Sequence, residues 1–421
     1  MKVLIIDPAV HSQGGHHYNA VQRLQSELAK LGLAAPCLGS AYANAQVASA
    51  LDCTPTFTRS VYGRSYAAPT EFADSVEETS RNLAQALARR GRGADLLILP
   101  CCDQVLAAAV ARNFTRTRFR AAPHVLLWLL YGPHYLLPTD DLRAIGDLGR
   151  ECRDAFAGLQ ASLGDARHLH ACSETPQMAE FYRRLLGLEV TATPAPGLAL
   201  PARGRQRGDG QRGGGQRGDG PPTVLCIGFA NRPKGYRLLP EAILRVLSHN
   251  GDVRFTIHGI VKGSDAENDQ PLFDTLSALG SRVVVRQDVL SDQDYAALLD
   301  EADLLLMPYD PEVYRTRGSG VFTDARKIGL PIIATGGCAF ARPAFDQGWG
   351  VAITDYDGPG VAAAVLTALG RLDELSSRAA TGAVREPDDL GSVVAAIVTQ
   401  VRSDRTRGLA GVVQRLSALR R

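Results

Sequence analysis

Small and basic residues near position 318 offer the clearest chemistry in the sequence. Gly318-Ser319-Gly320 opens a predicted helix, and Arg315 and Arg317 stand just before it. Small residues at a helix start let backbone N–H groups approach an anion, and the helix dipole favours negative charge there. A diphosphate would suit this position, with the arginines adding charge-assisted hydrogen bonds. The residues alone leave a plainer interpretation open, in which a glycine-containing helix start is flanked by solvated arginines.

Histidines and glycines near the start of the sequence form a second group of candidates. Gly14, Gly15, His16 and His17 lie between a predicted first strand and a predicted first helix. Glycine pairs commonly serve only tight turns, whereas polar aromatic residues at a helix start are able to reach a ligand. His134 follows the apolar run 125–130, and such a loop histidine is either structural, solvated or close to a reacting group.

The elements that must position these residues alternate between strands and helices. In the first half, the apolar runs predict strands at 3–7, 95–99, 125–130 and 168–173. A helix is expected at 18–31, where Val21, Leu24 and Leu28 recur at the spacing of a half-buried helix. A further helix is expected to run to about 186, with Ser173 as its N-cap.

The second half repeats the pattern. Strands are expected at 224–227, 254–258, 282–285, 304–307 and 331–334. Helices are expected at 238–248, 271–279, 291–301 and 319–329, and again at 392–401 and 409–419. Alternation of this kind predicts an α/β fold with two Rossmann-like parallel sheets. Two such domains would face each other across a cleft, and ligands favour clefts at the carboxyl ends of strands.

A glycine-rich repeat separates the two halves. Residues 206–220 contain a five-residue unit of Gln, Arg, Gly and Asp, without apolar residues to bury, so we expect a flexible linker. An RNA-binding tract is the alternative, although the unit lacks aromatic residues for base stacking. The predicted organisation is an N-terminal acceptor domain, a Gly/Arg/Gln-rich linker, a C-terminal donor domain, and C-terminal helices that pack back on the N-terminal domain, at 1–200, 201–221, 222–385 and 386–421.

Composition narrows the function classes. The 421 residues carry a formal net charge of +2, which speaks against a nucleic-acid binder that relies on a basic excess. The eight cysteines include no C-x-x-C pair, so neither a zinc ribbon nor a disulfide framework is expected. The N-terminus runs straight into a strand, and the longest central apolar run is far below the roughly 20 residues of a membrane span. We therefore expect a cytoplasmic protein, with contact to the inner membrane surface left open.

The segment 302–335 resembles the donor site of the group 1 glycosyltransferases, which are retaining enzymes of the GT-B fold. That family has a Leu-Glu-Ala helix followed by a Gly-x-Pro-Val-Ile strand. Here Thr-Asp-Ala stands at 323–325 and Gly-Leu-Pro-Ile-Ile at 329–333. The resemblance implies that Asp324 holds the donor ribose hydroxyls. It also implies that the donor diphosphate lies on the backbone of Gly318, Ser319, Gly320 and Val321.

Two further segments are similar to the family. The family's basic loop after the first strand of the donor domain has its counterpart at 228–235, where Lys234 matches the family's lysine and Arg232 would supply the second charge. Without the resemblance, Lys234 would be interpreted as a solvated loop lysine. The family's Gly-Gly loop corresponds to Gly14 and Gly15, which with His17 would line the acceptor side. His16 and His134 would then be the catalytic residues near the reacting sugar.

The sequence departs from the family at two positions. Thr316 stands where the family has its first glutamate, and Phe229 where it has an arginine. Glu312 is a nearby acid that could replace the glutamate. Lys234, Arg232 and the helix start at Ser319 would stabilise the leaving diphosphate, so no metal and no cofactor are expected beyond a nucleoside diphosphate sugar as co-substrate.

The resemblance therefore implies transfer of a sugar to an unknown acceptor (a glycan, lipid, small molecule or protein) with retention of configuration. Leaving-group stabilisation would carry the catalysis. Two alternatives stay open: a non-catalytic GT-B protein that binds a nucleotide sugar or a partner transferase, and a non-hydrolysing nucleotide-sugar epimerase.

Overall fold

The structure is a computed structural model that divides into two compact units. Unit 1 comprises Met1–Pro196 and Asp388–Arg421, and unit 2 comprises Gly197–Pro387. The described residues are 1–13, 15–60, 69–90, 93–115, 122–130, 146–195, 197–198, 220–260, 266–385 and 389–418. The glycine-rich repeat, apart from its last residue, lies outside them.

A parallel sheet forms the centre of unit 1. In chain order its described strands are β1 (Val3–Ile6), β2 (Cys37–Ser40), β3 (Cys53–Phe57), β4 (Leu96–Pro100), β5 (His124–Leu129), β6 (Leu169–Ser173) and β7 (Thr191–Ala192). They lie side by side in the order β3-β2-β1-β4-β5-β6-β7. Every residue of β1, β4 and β5 is buried, as expected for strands covered on both faces. The four predicted strands are confirmed to within one residue at each end, and β2, β3 and β7 are additional.

Helices cover this sheet. They are α1 (Gly15–Lys30), α2 (Ala45–Ala50), α3 (Pro69–Arg90), α4 (Gln104–Thr115), α5 (Gly146–Leu163) and α6 (Pro176–Leu186). The half-buried face predicted for α1 is confirmed, since Val21, Leu24 and Leu28 are fully buried. The prediction of Ser173 as an N-cap is wrong. Ser173 ends β6, where it pairs with Ala192, and Thr175 instead accepts the N–H of Met178 at 3.0 Å as the N-cap of α6.

Unit 2 has its own parallel sheet. The described strands are β8 (Thr223–Phe229), β9 (Arg254–Ile260), β10 (Val283–Arg286), β11 (Leu304–Met307), β12 (Ile332–Thr335) and β13 (Gly350–Ile353). Their order in space is β10-β9-β8-β11-β12-β13. The five predicted strands are confirmed, and β13 adds a sixth at the edge. Because β8 and β11 are neighbours whose chain connections run to opposite sides of the sheet, the loops after them meet at a topological switch point.

The helices of unit 2 complete the α/β alternation. They are α7 (Leu239–His249), α8 (Ala266–Ser277), α9 (Asp292–Glu301), α10 (Gly320–Ile328), α11 (Arg342–Asp346), α12 (Gly358–Gly370) and α13 (Leu372–Arg385). α10 begins and ends as its sequence predicts. Ser319 is its N-cap, and Gly329 ends it in the left-handed region at φ +69°, where glycine is favoured.

The last helix, α14 (Asp389–Ala418), belongs to unit 1. Val394, Val398 and Val401 pack into the same hydrophobic core as Val21 and Leu24 of α1. One continuous helix therefore replaces the two helices expected at 392–401 and 409–419. Among the described residues, no helix combines the length and apolar character needed to cross a membrane.

Candidate functional site

The loops after β8 and β11 are joined at the switch point of unit 2. The backbone N–H of Asp310 donates to the carbonyl of Pro233 at 2.8 Å. Gly235 has φ +69° and packs so closely that a Cβ on it would lie 1.9 Å from the carbonyl oxygen of Pro308. Only glycine fits here, for both reasons. This close approach holds the short 3₁₀ turn Arg232–Lys234 against the end of β11.

Lys234 is the central charged group of this site. Its side chain is half-buried, and its Nζ lies 5.4 Å from the ring centroid of Tyr309, within cation–π range. Burial lowers the pKa of Lys234 to about 8, with the charge of Arg317 acting in the same direction. Gly228, at φ +135°, leaves room for the ammonium group, because a Cβ there would lie 2.5 Å from Nζ.

The start of α10 lies next to this lysine through Tyr309. The hydroxyl oxygen of Ser319 accepts the N–H of Phe322 at 3.3 Å, so the N-cap is formed as expected. The N–H groups of Gly320 and Val321 belong to the first turn, which has no intrahelical acceptors for them. Burial raises the pKa of Tyr309 well above its usual value, and Ser319 opposes that shift. Tyr309 therefore contacts both the basic loop and the helix start.

The other basic residues are held by neighbours of their own. Arg315 donates a hydrogen bond to Glu312 at 2.7 Å. Both side chains of this ion pair are exposed, and Glu312, the nearby acid considered above, is therefore paired with Arg315. Arg317 stacks over the ring of Tyr314, with its Cζ 5.0 Å from the centroid. Arg232 is exposed in the turn before Lys234. Of the three arginines, Arg317 is the one whose charge acts on Lys234.

Asp324 is almost completely buried on the inner face of α10. Its Oδ1 accepts the N–H of Leu198 at 2.7 Å, and its Oδ2 accepts the hydroxyl of Tyr295 at 3.0 Å. Gly197 packs against the same oxygen, because a Cβ there would lie 2.3 Å from Oδ1. Burial raises the pKa of Asp324 to about 7, and the charge of Lys327 partly offsets this. A carboxylate has about four lone-pair positions, so these two bonds leave acceptor capacity.

The corresponding edge of the unit 1 sheet carries imidazole and carboxylate groups. Asp7, directly after β1, is 1% exposed, and its two oxygens lie 3.1 and 2.9 Å from Nδ1 of His17. Asp7 also accepts the N–H of Ala9 at 3.0 Å, which fixes its orientation. His16 is next to His17, with ring centroids 4.2 Å apart. Of the two predicted histidines, His17 therefore contacts a buried aspartate directly, and His16 lies beside His17.

Cys101, directly after β4, lies at the same edge of the unit 1 sheet as these histidines. One ligand-type atom from each of His16, His17 and Cys101 lies within 4.8 Å of the other two. Cys101 adopts φ 56°, which is uncommon for a residue with a side chain, and burial raises the pKa of its thiol well above the usual value. Gly15 begins α1 at φ +80°. Gly14 and His134 lie outside the described residues.

Comparison with known proteins shows what these units resemble. Residues 221–399 match the family model described as "Glycosyl transferases group 1". They belong to the group 1 glycosyltransferase family. No curated protein sequence matches the chain.

Solved structures extend the likeness to the whole chain. Sucrose-phosphate synthase from Thermosynechococcus elongatus has a TM-score of 0.59 at 14% identity, covering 98% of this chain and 100% of that one. The catalytic domain of starch synthase IV from Arabidopsis thaliana, bound to ADP and acarbose, has a TM-score of 0.63 at 13% identity, covering 96% and 99%. A structure described as a putative UDP-N-acetylglucosamine 2-epimerase from Listeria monocytogenes has a TM-score of 0.54 at 11% identity, covering 94% and 95%. At these identities the likeness shows the fold, which is the GT-B fold with its two Rossmann-like domains.

Two positions distinguish this group 1 domain from the family pattern. Thr316, at the position of the family's first glutamate, is 5% exposed and lies in the loop before α10. Phe229, at the position of the arginine, is 38% exposed at the end of β8. A buried threonine cannot supply the charge of a carboxylate, and the exposed phenylalanine leaves Lys234 as the loop's half-buried cation.

Four residues that lie beside the predicted ones, in the group 1 domain and in unit 1, are not among those that the sequence indicates. Their shared signal is position, since each lies at a strand end or a helix start near a predicted site residue: Asp7, Cys101, Tyr295 and Tyr309. Asp7 and Cys101 directly follow central strands, where ligands of open α/β sheets bind. That signal was available for both. Nothing in the sequence indicates that Tyr295 contacts Asp324, because 29 residues separate them.

Proposed function

We propose that the protein is a glycosyltransferase that moves a sugar from a nucleoside diphosphate sugar to an acceptor, with retention of anomeric configuration. The observation that carries the proposal is the position of Lys234. It is half-buried at the β8/β11 switch point, 5.4 Å from the ring of Tyr309, and Ser319 at the start of α10 acts on the same tyrosine, in a segment that belongs to the group 1 family. A cation and a helix start that converge on one place suit a diphosphate.

In this mechanism, electrostatic stabilisation of the leaving diphosphate does most of the work. Lys234, with a pKa of about 8, is mostly protonated at pH 7 and meets the charge that develops as the sugar–phosphate bond breaks. Gly318, Ser319, Gly320 and Val321 hold the diphosphate at the start of α10, and Arg232 adds charge from the loop. With these groups, the chain's own residues neutralise the leaving group without a metal ion or a cofactor.

Ribose and acceptor bind to other residues in this proposal. Asp324 uses its remaining acceptor capacity for the ribose hydroxyls. In unit 1, Gly14, Gly15 and His17 line the acceptor side, and His16 and His134 act near the reacting sugar. The link between His17 and Asp7 supports this, because a buried carboxylate holds the imidazole in one orientation. We propose a glycan or lipid-linked acceptor, reached from the cytoplasm at the inner membrane surface.

Two observations keep other functions in view. The absence of a carboxylate at Thr316 favours a protein that binds a nucleotide sugar without transferring it. The likeness to a putative epimerase favours an enzyme that uses the same nucleotide site without an acceptor. Both alternatives share the diphosphate site with the proposed transferase, so the site is tested first.

The test is calorimetric titration of the full-length chain with UDP, GDP, ADP and dTDP. We expect one of the four to bind, and Lys234→Ala to weaken that binding roughly 10- to 100-fold, because a hydrogen bond to a charged group is worth about 1.5–3 kcal/mol. The control is Arg245→Ala, which removes a positive charge from the exposed face of α7 in the same unit. It should leave the dissociation constant within about twofold.

The outcomes separate the hypotheses. If no nucleoside diphosphate binds, or if Arg245→Ala weakens binding as much as Lys234→Ala, the proposal is wrong. If binding occurs, the matching nucleotide sugars are assayed with glycan and lipid-linked acceptors. Transfer with retention supports the transferase, release of an epimerised sugar nucleotide supports the epimerase, and binding without turnover supports the non-catalytic protein.

A further inference from the structure

Three histidines meet at the edge of the unit 1 sheet where β5 and β6 begin. His124 is the first residue of β5, His168 ends the 3₁₀ turn Ala166–His168, and His170 lies in β6. The ring of His124 is 4.3 Å from that of His168 and 5.4 Å from that of His170, centroid to centroid. Because the strands are parallel, this edge is opposite to the one that carries Asp7 and His17. The proposed transferase chemistry therefore does not use these histidines.

An aspartate from the last helix joins the cluster. Asp404 of α14 places its Oδ2 3.3 Å from Nε2 of His124. In the sequence these two residues are 280 positions apart. Ligand-type atoms of His124, His168 and Asp404 all lie within 4.8 Å of one another. Two imidazoles and one carboxylate are thus gathered where α14 meets the sheet.

We propose that His124, His168 and Asp404 bind one divalent zinc ion, which cross-links α14 to the sheet of unit 1. The donor set suits zinc, since imidazole nitrogen and carboxylate oxygen are its common ligands, whereas Mg²⁺ and Ca²⁺ prefer oxygen alone. Two ligands at about 2.0–2.1 Å from a tetrahedral zinc are roughly 3.4 Å apart. The 3.3 Å between His124 and Asp404 fits that spacing. A water molecule would complete the four positions.

Neighbouring groups already orient the ligands. Nδ1 of His124 lies 3.1 Å from Nε2 of His170, so the other nitrogen of His124 is turned toward Asp404. Arg407 donates to Oδ1 of Asp404 at 2.7 Å, which leaves Oδ2 facing the imidazole. Partners of this kind fix the ring and carboxylate orientations of metal ligands. The ligands therefore need little rearrangement to bind an ion.

A buried nitrogen of His168 supports the same site. Nδ1 of His168 is buried, and the described part of the chain offers it no hydrogen-bond partner. A metal bound at this nitrogen would satisfy it.

The experiment measures zinc on the full-length chain. The protein is stripped with a chelator, dialysed against Zn²⁺, and its metal content is determined by mass spectrometry. We expect one zinc to be lost in His168→Ala and in Asp404→Asn, and to be retained in His249→Ala, which removes an exposed histidine at the end of α7. Zinc at 100 times its dissociation constant should also raise the Tm of the wild type by roughly 5 °C, and this rise should disappear in both cluster variants.

Cys101→Ser is included because His16, His17 and Cys101 are the other described cluster that could hold a metal. The proposal stands if Cys101→Ser keeps the zinc that the cluster variants lose. It is overturned if the wild type binds no zinc, if His168→Ala binds as much as the wild type, or if Cys101→Ser removes the zinc. Should His168→Ala not fold, Asp404→Asn decides alone, since Asp404 is only partly buried on the outer helix. Nucleoside diphosphate binding in unit 2 is not involved, so this test can fail independently of the proposed function.

Discussion

In unit 1, the segments after the central strands carry a carboxylate and two histidines. In unit 2, the corresponding segments carry a lysine and lead into a helix that begins at a glycine. Both sheets place strands in the same doubly wound order, with the first strand of the unit beside β4 in one and β11 in the other. Both therefore present loops at a switch point. The difference relevant to binding lies in the residues that follow the strands, with Asp7 and His17 at one edge and Lys234 and Ser319 at the other.

Under the proposed function, this difference would let the same sheet topology bind two kinds of ligand. In unit 2 a half-buried cation and a helix start suit an anion that carries several charges. In unit 1 the carboxylate of Asp7 lies at the sheet edge, and its negative charge would repel a diphosphate. A hydroxyl that must lose a proton suits that edge better. The fold supplies the location, and the charges determine which substrate group binds there.

The largest effect is expected from Gly235→Ala, which tests whether the unit 2 site depends on the close approach of its two loops. The added Cβ would meet the carbonyl of Pro308 at 1.9 Å, and the backbone is in the left-handed region. We expect the free energy of unfolding to fall by about 2–4 kcal/mol. Nucleoside diphosphate binding should weaken as the Lys234 turn is displaced. Urea denaturation and calorimetry measure the two effects.

Gly280→Ala is the matched control for this change. Gly280 also has a positive φ, of +105°, but a Cβ there would meet nothing within 4 Å. Its substitution should cost only about 1–2 kcal/mol and leave nucleotide binding intact. Equal losses in the two variants would mean that backbone strain alone, and not the approach to Pro308, explains the effect.

A smaller effect is expected from Asp7→Asn, which tests whether unit 1 acts in catalysis and not in nucleotide binding. The variant keeps the shape of the side chain but removes the charge that orients His17. We expect release of nucleoside diphosphate from the sugar donor to slow by about 10- to 100-fold, in the range of acid–base contributions. The dissociation constant for the diphosphate should change less than twofold.

The control is His11→Ala, because His11 is exposed and bonds the nearby carbonyl of Ala9. Its turnover should match that of the wild type. A loss of nucleotide affinity in Asp7→Asn would instead show that unit 1 takes part in donor binding, and the comparison between the two edges would fail.

The smallest effect is a pH dependence of nucleotide binding that we assign to Lys234 of unit 2. Burial lowers the pKa of Lys234 to about 8, so the free protein loses this positive charge as the pH rises through 8. The phosphate groups are already ionised there, since their second pKa is near 6. The dissociation constant should therefore rise by up to about tenfold between pH 8 and pH 9. Lys234→Ala should remove this dependence, and an unchanged slope in the variant would assign it to another group.

Much of the scaffold could be predicted from the sequence, because long apolar runs identify strands that are buried on both faces. The run at 304–307 and the paired Ser319 and Gly329 define one strand and one helix almost to the residue. β2 and β3 escaped prediction for a physical reason. Their residues, CLGS and CTPTF, include Gly and Pro, which are depleted in strands. They are strands because β2 pairs with β1 and β3 pairs with β2.

The site was partly predictable for a related reason. Lys234 and the start of α10 are local features, and they follow from loop composition together with the family resemblance. The partners of Asp324 are not local, since Leu198 is 126 residues away and Tyr295 is 29. Such contacts depend on how the chain returns to α10, which no local pattern encodes. The same holds for Asp404 and His124.

The return of α14 to the core of α1 has a consequence for biosynthesis. The buried valines at 394, 398 and 401 are translated after every residue of unit 2, yet they complete the hydrophobic core of unit 1. In a nascent chain, the part of this core that α14 covers therefore stays uncovered until residue 401 has left the ribosome, at about 5–20 residues per second. Unit 2 has no such delay, since all of its strands and helices are emitted in one stretch. During synthesis, the first unit to emerge is therefore the last to complete its core.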